Sequence, residues 1–162
     1  MDKYCGNRKW IIWMSIFIAI ILEQIPWPDQ FMYYRPTWLA LILIYWVMAL
    51  PHRVSIGIGF FLGILMDSIQ SSALGVHALA YSIISYLVSY KHQIFRNVAL
   101  WQQSLIISVL SVLMNFIIFL AEFFESLALF HPAIFWNCLI NSILWPWMFL
   151  FLRKVRRQFL VC

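Results

Sequence analysis

Long apolar runs without a single charge limit this chain more than any other feature: residues 11–22 and 105–113 pass turn after turn with no ionisable side chain. A helix on a soluble core keeps a polar outer face, and these stretches have none. The composition agrees, with 64% hydrophobic and 10% charged residues in 162 and a mean hydropathy of +0.86. No soluble domain of this length needs so much apolar surface. The reading is an all-α membrane protein.

Apolar segments near 10–25, 36–50, 54–69, 74–90, 102–124 and 133–152 are bounded by proline, charge or aromatic residues of the interfacial kind. They predict a six-transmembrane-helix bundle forming one polytopic domain over residues 1–162. Lys3, Arg8 and Lys9 precede the first run in the manner of a signal peptide, but EQIPWP at 23–28 follows it instead of a small-residue cleavage site. An uncleaved first span is expected. The second and third segments are short for a hydrocarbon core of about 30 Å, so they need little tilt, flanking Trp and Tyr, or a locally thinned bilayer. Pro36 suits a first helical turn, where its missing N–H costs nothing.

With both termini and the second and fourth loops in the cytoplasm, ten of the eleven Lys and Arg residues fall inside and only Arg35 outside. That is a strong positive-inside bias. The basic C-terminal tail, Arg153, Lys154, Arg156 and Arg157, is expected to meet anionic inner-leaflet lipid or to dock a cytoplasmic partner. Glu23, Glu122 and Glu125 fall near outer helix ends, where a carboxylate can reach water.

In lipid, small residues and interhelical hydrogen bonds must hold helices together. Gly59, Gly63 and Asp67 recur every four residues on the third helix, and Ala78, Ser82, Ser85 and Ser89 share a face of the fourth. Ser104, Ser108, Ser111, Asn115 and Glu122 fall in one sector of the fifth, while Asn137 and Asn141 lie one turn apart on the sixth. These stripes read as structural glue, with a transport pathway as the sharper alternative. Asp67 is the one carboxylate deep enough to need compensation, since a central aspartate costs roughly 2.5 to 3.5 kcal/mol on insertion scales. Gly75 comes eight residues later. The carboxylate is therefore expected to anchor the turn, accepting N–H bonds from Ser71, Ser72 or the start of the next helix, with Asn able to keep much of that bonding. A pairing of His77 with Asp67 is weighed and placed behind a plain interfacial histidine.

Chemistry is hard to find. His52 and His92 are assigned to one side of the membrane and His77 and His131 to the other, with no HExxH, CxxC, GxSxG or phosphate-cradling loop around them. Cys5, Cys138 and Cys162 show neither metal-ligand spacing nor a paired framework, so free thiols are expected. Trp10, Trp13, Trp27, Trp38, Trp101 and Trp136 fall near span ends, as an interfacial belt demands. No catalytic, cofactor or metal residue emerges.

The ordered set Arg35-Pro36-x-Trp38, Tyr45-Trp46, Leu50-Pro51-His52-Arg53, Gly59-x-x-x-Gly63-x-x-x-Asp67 and Leu74-Gly75 resembles the rod shape-determining MreD family. KHQIFRNVALWQQ at 91–103, AEF at 121–123 and LWPWMFLFLRKVRRQF at 144–159 extend the resemblance over nearly the whole chain. One departure is Gln70-Ser71-Ser72, where sequences of this type usually carry a glycine after the aspartate. The resemblance implies a non-enzymatic inner-membrane scaffold of the cell-elongation complex. It implies association with MreC, and through it with MreB, RodZ, RodA and the transpeptidase partner of RodA. It also implies a fold similar to the substrate-binding subunits of energy-coupling-factor vitamin transporters, which keeps small-molecule binding or transport open as the alternative. Lipid handling is a third option. Arg35, Pro36, Gly59, Gly63, Asp67, Gly75, Asn115 and Glu122 are the structural or partner-binding candidates.

Overall fold

The computed structural model describes residues 9–26, 28, 35–52, 54–70, 74–124 and 134–158, apart from the side chains of residues 9, 122, 134 and 135. These residues form seven helices and no strand: α1 Lys9–Gln24, α2 Trp38–Ala49, α3 Ile56–Gln70, α4 Val76–Tyr90, α5 His92–Asn97, α6 Leu100–Phe124 and α7 Ile134–Gln158. Six of them fall on the six apolar segments. The seventh, α5, occupies a stretch expected to be a loop. The Gln103 side-chain amide holds it in place by donating to the carbonyls of Phe95 (3.0 Å) and Val98 (3.2 Å).

Only α6 and α7 contain stretches long and apolar enough to cross a membrane by length and composition, Leu100–Ala121 and Trp136–Gln158. The other apolar helices have 12 to 16 residues. At about 1.5 Å per residue, the 12 residues of α2 cover about 18 Å. Its shortness goes with its place, because every residue from Leu39 to Met48 is buried and the helix packs against α1, α4, α5 and α7. A helix apolar on all sides belongs inside a larger assembly, and α2 has α1, α4, α5 and α7 around it.

The core around α2 includes two fully buried indoles, and each finds an acceptor for its N–H. Trp46 donates to the Ser15 hydroxyl of α1 (2.8 Å), and Trp145 of α7 reaches the Gln103 side-chain oxygen of α6 (3.4 Å). Trp10 and Trp101, by contrast, are exposed at helix starts. The outward faces stay apolar, with Phe17 and Ile21 on α1, Phe60 and Phe61 on α3, Val109 and Phe116 on α6 and Phe151 on α7 all exposed. A protein apolar both inside and outside has the surface that lipid solvates.

The α3–α4 pair is the most intimate, and its glycines explain why. A Cβ at Gly63 would lie 2.5 Å from the Ala78 backbone nitrogen and 2.7 Å from the His77 carbonyl carbon. At Gly59 it would meet the Tyr81 carbonyl oxygen at 3.0 Å and run into the Ser85 hydroxyl. The two backbones approach as far as glycine permits. In α7, Pro146 lacks the N–H that would bond the Ser142 carbonyl, one of the interruptions that neighbouring groups make tolerable in apolar helices.

Candidate functional site

Helix direction sorts the polar groups. The C-terminal ends of α1 and α3 and the N-terminal ends of α2, α4 and α7 meet at one end of the assembly, and Arg96, Arg153 and Arg156 lie at the other.

At the first end, Asp67 is 1% exposed and clasps the start of α4. One carboxylate oxygen accepts the N–H groups of Gly75 (2.8 Å) and Ala78 (3.3 Å), and the other accepts the N–H of His77 (3.0 Å) and lies 2.8 Å from His77 Nδ1. The first N–H groups of a helix have no partner within it and carry partial positive charge, so a carboxylate from the preceding helix both bonds and neutralises them. Gly75 makes the geometry possible: its φ of 108° is left-handed, which costs residues with a Cβ roughly 1–2 kcal/mol. The acceptance falls on the start of α4, while Ser71 and Ser72 lie outside the described residues. His77 is more than an interfacial residue, because the tight turn carries it back over the carboxylate ten positions earlier.

The α1–α2 connection uses the same device. Glu23 Oε2 accepts the Leu39 N–H at 2.8 Å, and the side chain is buried. The expectation that Glu23 reaches water is corrected: desolvation of the carboxylate is offset by an orphan donor at the first turn of α2. Next to it Asn141 of α7 is 0% exposed. Its oxygen accepts the Thr37 N–H (3.2 Å), and its nitrogen faces the oxygens of Thr37 (2.8 Å), Asn137 (3.0 Å) and Ser111 (3.2 Å). Asn137 in turn donates to the Arg35 carbonyl. This amide cluster ties the Arg35-Pro36-Thr37 entry of α2 to α6 and α7.

Among the sequence candidates, then, Gly59, Gly63, Asp67 and Gly75 share the α3–α4 seam, and Arg35 joins the amide cluster through its carbonyl. Pro36 is buried but lies before the Thr37 N-cap, not in the first turn of α2 as expected, because the helix begins at Trp38. Asn115 adjoins the amide cluster through Ser111. It donates to the Ser111 carbonyl of its own helix (3.0 Å) and approaches the buried, free thiol of Cys138 at 3.6 Å. The Glu122 side chain, Cys5 and Cys162 lie outside the described residues. Reasoning from residue types missed Gln103, although it falls within the 91–103 motif. Among the described residues no three His, Cys, Asp or Glu side chains gather as a metal would require. The geometry at this end holds helices in place.

A different kind of surface lies between α1 and α3. Trp10, Trp13, Phe17, Leu62 and Leu65 line an open, almost wholly apolar groove of about 310 Å³.

The fold is that of an all-helical protein with apolar faces inside and out and carboxylate-capped helix starts. Residues 6–155 match the family described as rod shape-determining protein MreD. The chain is also 43% identical over 151 residues to the rod shape-determining protein MreD of Haemophilus influenzae, covering 93% of both chains. It belongs to the MreD family. No solved structure matches it.

Proposed function

We propose that this protein is a non-enzymatic scaffold of the bacterial inner membrane that binds the MreC transmembrane helix and supports rod shape and lateral peptidoglycan synthesis. The observation that carries the reading is the open α1–α3 groove. Its tryptophans, phenylalanine and leucines offer an apolar surface to a partner helix on a protein whose described residues are mostly helical. In this reading the chain is a single domain crossing the membrane six times, α1–α4 being the short spans, with both termini cytoplasmic and Lys154 and Arg157 facing anionic lipid. MreB, RodZ, RodA and its transpeptidase partner join through the same complex. The relative's printed name, a rod shape-determining protein, supports the cellular role.

A small-molecule binding subunit is the less favoured reading. The polar groups it would use, Asn137, Asn141, Thr37 and Ser111, bond to one another. Deleting the protein is expected to round the cells, and the tagged protein should co-purify MreC from detergent extracts. Persistence of rod shape and lateral wall synthesis in a clean deletion would overturn the scaffold reading.

A further inference from the structure

At the end opposite Asp67, a cavity of about 210 Å³ opens between α2, α5 and α7, lined by Tyr45, Met48, Arg96, Phe149, Arg153 and Arg156. Phe149, Arg153 and Arg156 follow each other at spacings of four and three on α7, which places them on one helix face. Arg96 arrives from the last turn of α5, the helix that Gln103 fastens through the carbonyls of Phe95 and Val98 on either side of it. One wall is aromatic: the buried Tyr45 ring packs edge-on against Trp46 and Phe149 with centroids 5.5 and 5.6 Å away. None of the three guanidinium groups forms an ion pair among the described residues, where the carboxylates Glu23 and Asp67 serve the far end.

Three arginines converging on one cavity repel each other unless an anion joins them, and their planar forks match the oxygens of a phosphate. We infer that this cavity binds the phosphate of an anionic lipid headgroup. A lipid fits better than a free ion because Met48, Ala49 and Phe149 line the same cavity as the arginines, so that apolar side chains meet the start of the acyl chains beside the charge. The inference rests on the membrane orientation proposed above and narrows a diffuse attraction of the basic tail to one site. Lys154 and Arg157 carry the same charge on the same helix but do not line the cavity.

Native mass spectrometry of the purified full-length chain tests this without reference to MreC or cell shape. Wild-type protein equilibrated with equal phosphatidylglycerol and phosphatidylcholine should retain one phosphatidylglycerol per chain. Arg96→Gln, Arg153→Gln and Arg156→Gln should each weaken that retention about fivefold, the scale of one arginine at an anionic surface, and Lys154→Gln and Arg157→Gln by less than twofold. Equal losses in all five variants would mean diffuse surface attraction and overturn the site. So would equal retention of phosphatidylcholine by the wild type, which requires no variant to fold. Millimolar inorganic phosphate displacing the lipid, or raising the melting temperature as much as phosphatidylglycerol does, would assign the cavity to a soluble anion instead.

Discussion

Gly63→Val is expected to abolish the folded protein. Its Cβ would fall on the backbone of Ala78, which cannot move without dragging the Asp67-capped start of α4 with it. Overpacking against side chains costs about 1–3 kcal/mol, and against backbone the upper end of that range is the minimum. A loss of about 3 kcal/mol is most of the stability of a marginal protein. Gly57→Ala on the same helix is the matched control, because a Cβ there meets nothing within 4 Å. Thermal melting in detergent and the membrane level of each variant report the difference. Gly57→Ala should match the wild type, and a Gly63→Val protein of normal level and melting temperature would contradict the α3–α4 seam.

The second large effect is at Asp67. Asp67→Leu strands three backbone N–H groups in an apolar setting at about 1–3 kcal/mol each, so it should cost about 3 kcal/mol or more. Asp67→Asn is expected to fall between Leu and the wild type. From the sequence, Asn would keep much of the bonding; in the structure both carboxylate oxygens accept from backbone, so the Asn amide nitrogen must face at least one donor. Rod shape should track melting temperature across the series. An Asn variant that melts like the wild type yet leaves cells round would instead point to a function of the charge itself.

The contrast between Asp67 and Glu23 shows what the sequence could and could not reveal. Asp67 continues the Gly59-Gly63 stripe and is followed eight residues later by Gly75, so a close neighbouring helix and a helix start to bond were both within reach of local pattern. Glu23 lies as near the end of its run, but it shares no small-residue stripe and is followed by the proline-broken IPWP, which reads as an interfacial exit to water. Its partner, the Leu39 N–H, is 16 residues away across a connection whose path no local pattern encodes. The apolar segments were legible because hydropathy needs no partner, and the α3–α4 seam because glycine spacing on one helix implies a close neighbour. The central place of α2 was not read. Its WLALILIYWVMA run is apolar on all sides, and such a run reads equally as a lipid-exposed span or a fully enclosed helix. α5 and the Gln103 contacts that hold it were equally hidden, since a single turn and a half of helix carries too few residues for periodicity to speak.

The scaffold account turns on which face meets the partner. Photo-crosslinking residues placed singly at Trp13, Phe17 and Leu65 in the α1–α3 groove, and at the exposed Val109, Phe116 and Ile143 of α6 and α7, measure it directly in living cells. Scored only in variants that keep rod shape, the groove positions should form adducts with the MreC transmembrane helix and the α6 and α7 positions should not. MreC adducts confined to α6 and α7, with none from the groove, would contradict the account.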